Sequence, residues 1–411
     1  MTILMKSLSK KSLRNPDTLL LALIICMNIN KYLLGGSRDA ITYPVFLLFI
    51  ATSFYLNRDS ESKIYVAKSR NPLITIGAIL LCFYALLGSI MLGPSSVKMM
   101  LKLVASFLVA DAAMRLPIEK IRKTISLIII YNLVYGIILV RNPTKTIMLM
   151  TSGTTNYLNI TITLGLVFSI SLCQALLMAY GLIHKKSGII AIIILVSMVV
   201  VLSRFNARGS LLLPIVSMLA VLLLIARQKP LKLFVAITVI LLIGYIGYKV
   251  YINTISEYAL NRMLRLFNNT ESESRLSIWS NYIEEIINRR WFLFGGGPDA
   301  SIIKLGYYPH NLYLQLVGEF GIVGLLFSVV TTFSVIGKVF RYRNTIFINK
   351  NRIQLAHEET TLLCVSGLFY YFLTFMKSFS FFDAYPLFIF YAFVLKCTDE
   401  PAVLMSNEVL N

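Results

Sequence analysis

The chain has three histidines, His184, His310 and His357, and one of them stands where a proton could usefully be moved. His310 closes the run Tyr307-Tyr308-Pro309-His310-Asn311, directly ahead of a long apolar stretch that opens with Leu312. Imidazole exchanges a proton near neutral pH, so a histidine at such a mouth can act as a base towards a hydroxyl; its plainer use is to cap a helix or fill an interface. Arg204 and Arg208 flank the short turn Ser203-Arg204-Phe205-Asn206-Ala207-Arg208-Gly209-Ser210. A guanidinium keeps its charge in a poor solvent, grips phosphate oxygens with two parallel N–H groups and can stabilise a pyrophosphate leaving group; otherwise it snorkels to lipid headgroups. No second histidine or cysteine stands beside His310, so no metal site is expected. The five cysteines lie in or at the edge of apolar runs without CxxC spacing and read as small hydrophobes. Gly295-Gly296-Gly297-Pro298 lacks the preceding strand and following lysine-serine pair of a nucleotide loop, so no cofactor is expected either.

The elements that position these residues are set by hydropathy. Of 411 residues, 57% are apolar and 14% charged, against about 25% charged in a soluble domain. A bilayer core about 30 Å thick needs some 20 apolar residues per helix. Runs of that kind predict an all-α polytopic membrane protein with about twelve spans, near 16–35, 40–57, 72–93, 97–114, 122–141, 157–183, 187–203, 209–226, 231–250, 312–340, 360–376 and 380–396. Lys and Arg near span ends stay on the cytoplasmic side. With the N-terminus inside, the inner segments hold 23 of the 39 basic residues and every inner loop is basic. The net charge of +20 is thereby a matter of topology and lipid headgroups, with no nucleic-acid partner expected. No small-residue cleavage site follows Leu34, so the first span is expected to remain in place.

This count divides the chain into N-terminal spans (1–250, about nine), one long outer segment (251–311) and C-terminal spans (312–411, about three) with a short cytoplasmic tail. The outer segment holds both tryptophans, Trp279 and Trp291, and six of the 19 acidic residues. Arg275 to Phe294 is expected to form one interfacial helix, with Leu276, Trp279, Ile283, Ile286 and Ile287 on one side, stopped by the glycines. Irregular polar backbone at a membrane face is tolerated only where it is hydrated or lines a cavity, so function is expected here.

Together these pieces resemble the O-antigen polymerase and O-antigen ligase superfamily. The resemblance rests on Arg208-Gly209-Ser210 opening a span, an Arg275-x-x-x-Trp279 start to the long outer loop, a Gly-x-Gly stop, and His310-Asn311 before a span closed by Gly-Glu-Phe-Gly-Ile-Val-Gly at 318–324. It implies a GT-C-like fold and a multi-pass protein of the bacterial inner membrane, whose termini the basic loops and the even span count place in the cytoplasm. It implies a glycosyltransferase that takes a glycan from undecaprenyl pyrophosphate at the periplasmic face, without metal or nucleotide sugar. Arg208 and Arg275 would hold the pyrophosphate, with Arg204 as a further candidate, and His310 would assist the acceptor hydroxyl. Asp383, before the last span, would steer the histidine or the acceptor.

The short interval from Gly297 to His310 and the continuation His310-Asn311-Leu312-Tyr313-Leu314 look more like a polymerase, which joins lipid-linked repeats. The alternative is a ligase that delivers the chain to lipid A-core. Twelve spans also suit a lipid-linked oligosaccharide flippase or another transporter, but the long outer loop has no counterpart in the first half. Other envelope polysaccharide-assembly proteins are conceivable partners.

Overall fold

A computed structural model of the chain describes residues 15–29, 38–56, 72–92, 94–141, 170–180, 208–226, 274–345, 352–376 and 380–399, together with Thr238 and Tyr245. Among the described residues there is no strand. The helices are α1 (Pro16–Ile29), α2 (Arg38–Leu56), α3 (Pro72–Leu92), α4 (Pro94–Met114), α5 (Ile118–Arg141), α6 (Arg208–Ala226), α7 (Ser274–Asn288), α8 (Trp291–Phe294), α9 (Ala300–Leu305), α10 (Leu312–Thr345), α11 (Arg352–Phe375) and α12 (Tyr385–Asp399), with a 3-10 turn at Phe381–Asp383. Proline opens α1, α3 and α4, where its missing N–H leaves no hydrogen bond unmade and its fixed φ suits the first turn.

Helices cover nine of the expected apolar runs, and Ile170–Tyr180 forms part of the run at 157–183. The runs at 187–203 and 231–250 lie outside the described residues, apart from Thr238 and Tyr245. Among the described residues one helix, the 31-residue stretch Leu312–Tyr342 of α10, is long and apolar enough to cross a membrane. Elsewhere Leu47, Ile79, Phe83 and Ile90 are more than half exposed. Such large side chains rarely stand exposed together on a soluble monomer and are what lipid-facing helices carry.

Two compact units interleave along the sequence: residues 1–56, 116–260 and 343–370 form one, and 57–115, 261–342 and 371–411 the other. In the first unit α1 packs on α2 and α5, burying Leu21, Ile24, Ile25, Ile121, Ile125 and Ile128. Charges at the helix ends are paired: Lys120 Nζ lies 2.7 Å from Asp17 and Arg122 2.8 Å from Glu359.

The second unit is built around α12, which is buried from Tyr385 to Cys397. A helix apolar on all sides fits only inside a bundle. α4 packs against it, α3 lies on α4, and the 3-10 turn also touches α4. Edge-to-face and tilted rings knit α4, α10 and α12 together, with Phe107 centred 5.0 Å from Phe388 and 5.7 Å from Phe327. Lys338 and Asp399 pair at 2.5 Å where α10 and α12 end. This unit carries His310 and the whole of the described outer segment.

Candidate functional site

The expected single helix from Arg275 to Phe294 is two. α7 ends at Asn288, and Arg290 takes a left-handed conformation (φ 58°) that turns the chain into the four-residue α8. The apolar stripe of α7 divides as well. Tyr282 and Ile286 are buried with Trp291 and Ala300, whereas Leu276, Ile283 and Ile287 face outward. The reason is geometric: positions 282 and 286 lie one helical turn apart on a face some 100° from 276, 283 and 287, so one stripe cannot pack all of them.

α8 and the glycine run dock onto a break in α10. Gly321, at φ 59° and ψ −142°, interrupts the i to i−4 ladder of that helix. The N–H groups of Gly296 and Gly297 bond to the carbonyls of Gly318 (2.8 Å) and Glu319 (3.0 Å). A side chain at 321 would meet the Leu293 carbonyl at 2.5 Å and the Gly295 nitrogen at 2.7 Å, besides being strained at that φ. A side chain at 318 would overlap the Tyr282 hydroxyl. The Gly-Glu-Phe-Gly-Ile-Val-Gly run is thus the seat of the outer segment. Pro298 completes the seating, its carbonyl accepting from Ser96 Oγ of α4 at 2.8 Å.

Beneath the glycines lies Glu319, fully buried in α10. Ser301 Oγ donates to its Oε1 (2.8 Å), Gln315 Nε2 to the same oxygen (3.0 Å), and the Asp299 N–H to its Oε2 (3.1 Å). Tyr282 OH and Ser301 Oγ are 2.7 Å apart. Because Ser301 gives its hydrogen to Glu319, Tyr282 must be the donor of that pair. Gln315 turns its oxygen to the Phe381 N–H (2.7 Å), and its Nε2 also lies 3.0 Å from Ser380 Oγ. One carboxylate therefore ties together α7, the 299–301 corner, α10 and the turn before α12. Sequence reading passed over Glu319 and Gln315 as part of a span. The available signal was a carboxyl within an apolar helix, one turn after a glutamine.

Around this node burial raises the Tyr282 phenol, with the charge of Glu319 adding to the effect. Burial also raises the Asp299 carboxyl above the ordinary aspartate value, while Lys102 of α4 opposes the shift. Asp299 itself sits at φ 64°, a conformation that aspartate and asparagine tolerate better than most residues.

His310 stands half-buried on the last residue but one before α10, at φ 52°. Its neighbours hold it there. The Trp279 indole donates to the Pro309 carbonyl (2.8 Å), and Asn311 Oδ1 caps α10 by accepting from the N–H groups of Tyr313 (3.0 Å) and Leu314 (3.2 Å). The Tyr308 ring packs on the imidazole with centroids 4.2 Å apart. Such a backbone costs about 1–3 kcal/mol and persists only where its surroundings over-determine it.

The other expected residues are distributed as follows. Arg275 lies in the first turn of α7, one turn ahead of Trp279 and two ahead of Tyr282. Asp383 ends the 3-10 turn and is buried. Both belong to the unit that carries His310, on segments joined through Gln315 and Glu319. Arg208 is the first residue of α6, in the other unit, and Arg204 lies outside the described residues. Among the described residues no three His, Cys, Asp or Glu side chains converge where a metal ion could sit.

Helices that expose large apolar side chains, one of them long and apolar enough to cross a membrane, fit a helical membrane protein. Residues 175–329 match the family model of the O-antigen ligases. Over that span the chain is similar to the O-antigen ligases, and the match draws no line between ligase and polymerase activities. No curated protein matches the chain.

Proposed function

We propose that this protein is an O-antigen polymerase that joins undecaprenyl-pyrophosphate-linked repeat units at the periplasmic face of the inner membrane. The family match over 175–329, a range that takes in Arg204, Arg208, Arg275, His310 and the glycine seat, supports an O-antigen-joining enzyme, and the choice of polymerase over ligase rests on the short interval from Gly297 to His310 and the continuation His310-Asn311-Leu312-Tyr313-Leu314. The reaction is a single displacement. The acceptor hydroxyl, its proton passing to His310, attacks the anomeric carbon; the bond from that carbon to the pyrophosphate oxygen breaks, and the arginines take up the charge on the leaving group. The anomeric configuration inverts. Held between Trp279 and the Asn311 cap, with one face against Tyr308, His310 keeps a fixed direction while remaining half-open to an incoming hydroxyl.

The test is the lipopolysaccharide pattern of a strain lacking this gene, complemented with wild type or with His310→Ala. A core bearing a single repeat in place of a ladder is the expected result for a polymerase. Bare core with lipid-linked polymer accumulating would identify the ligase that the family description also allows. An unchanged ladder in the deletion strain would remove the chain from both roles.

A further inference from the structure

The outward faces of α7, α8 and α9 carry more apolar surface than a water-exposed loop sustains. Leu276, Ile283 and Ile287 on α7, Phe292 and Phe294 on α8 and Ile303 on α9 are 43–71% exposed, while Asn281, Glu284 and Asn288 occupy another face of α7. Cations border the patch. Arg289, which also pairs with Glu285, and Lys304 lie 5.5 and 5.4 Å from the centroid of the Trp291 ring, and Arg290 adjoins Arg289 in sequence. The level of this surface along the bilayer normal follows from α10. Its apolar stretch runs to Tyr342, and the 21 residues beyond the break at Gly321 rise about 32 Å at 1.5 Å per residue, enough by themselves to span the hydrocarbon core. The break at Gly321 therefore falls near the hydrocarbon boundary. The loop following α8 is bonded to the carbonyls of Gly318 and Glu319, at that boundary.

We infer that α7 to α9 form an interfacial foot: its apolar stripe lies in the lipid of the leaflet on the His310 side, and Arg289, Arg290 and Lys304 engage anionic phospholipid headgroups. The occupant is the bilayer itself. A basic rim beside an apolar stripe at the polar–apolar boundary is the arrangement that amphipathic surface helices use, with the stripe sunk about 5–10 Å.

The experiment uses the full chain in vesicles of phosphatidylethanolamine with or without phosphatidylglycerol, spin-labelled singly at Phe294→Cys, Ile287→Cys or Asn281→Cys. Four native cysteines are buried, so only the half-buried Cys82 is replaced, by serine. The ratio of oxygen to nickel-chelate accessibility should be several-fold higher at 294 and 287 than at 281, because oxygen partitions into acyl chains and the polar chelate stays in water. Omitting phosphatidylglycerol should reduce the ratio at 294, and Arg289→Gln, Arg290→Gln and Lys304→Gln together should abolish that dependence. Nickel accessibility at 294 and 287 equal to that at 281 would overturn the inference by showing a solvated face. Protection from both reagents would overturn it in favour of a protein partner or a second copy. Indifference to phosphatidylglycerol would overturn the anionic-lipid assignment. No glycan is present, so the outcome is independent of the polymerase reading.

Discussion

At the scale of single residues, the glycines of α10 illustrate how space decides a substitution. Gly318 has the rigid, fully buried Tyr282 ring where a methyl group would go, whereas Gly337, further along the same helix, has nothing within 4 Å. Gly337→Ala should be neutral or stabilise by up to about 1 kcal/mol through helix propensity alone. Gly318→Ala must displace the Tyr282 hydroxyl from Ser301 and should cost about 1–3 kcal/mol. Thermal melts in detergent of the two variants check the contrast; equal melting would mean that Tyr282 is not held as described. Asp299 gives a pH signature. Its raised carboxyl binds a proton more tightly folded than unfolded, so the native state holds more protons and stability falls as pH rises from below the ordinary aspartate value through the raised one. Asp299→Asn keeps a residue suited to φ 64° but removes the titration. Relative to wild type, its melting temperature should gain as pH rises across that window, and a constant difference would refute the assignment.

At the scale of elements, the node at Glu319 decides how the outer segment is held, because its surroundings are donors of fixed sense. The Asp299 N–H can only donate, and Phe381 N–H fixes Gln315 so that its amide donates too. Glu319→Gln places an NH2 group against one of these donors in either orientation. A buried donor left without an acceptor costs about 1–3 kcal/mol, so the variant should melt lower and make less polymer. Adding Gln315→Glu supplies the acceptor: the new carboxylate takes the Phe381 N–H and faces the new amide. Only a hydroxyl hydrogen of the Tyr282–Ser301 pair then lacks a partner, so the double variant should recover most of the loss. A double variant no better than the sum of its single changes would refute the node. This node also marks the limit of sequence reading. Helices such as α3 and α10 were legible from apolar length. Glu319 was not, because its partners lie up to 20 residues away and, through Gln315, a further 66. The break at Arg290 was equally hidden, since arginine carries no preference for the left-handed conformation found there.

At the scale of the molecule, the paired charges bear on sidedness. Asp17, Lys120 and Arg122 in one unit and Asp399 in the other fall at helix ends, and their partners Glu359 and Lys338 about two turns from one, all on the side that an alternating count makes basic and inner. The pairing has a physical reason, since a charge at the end of a span must reach water or a partner. Within the second unit, the outer segment, the α3–α4 turn marked by Ser96, and the turn before α12 marked by Phe381 gather around the far end of α10. The expected orientation puts that end in the periplasm. In intact cells, a membrane-impermeant maleimide should label Asn288→Cys on the exposed face of α7, whereas Lys350→Cys, in a loop the count places inside, should react only after permeabilisation. Each variant is compared with the unsubstituted chain so that Cys82 does not confuse the signal. The reverse pattern would put His310 and Arg275 in the cytoplasm, where a chain built on lipid-linked repeats at the outer leaflet could not be extended, and the polymerase reading would lose its compartment.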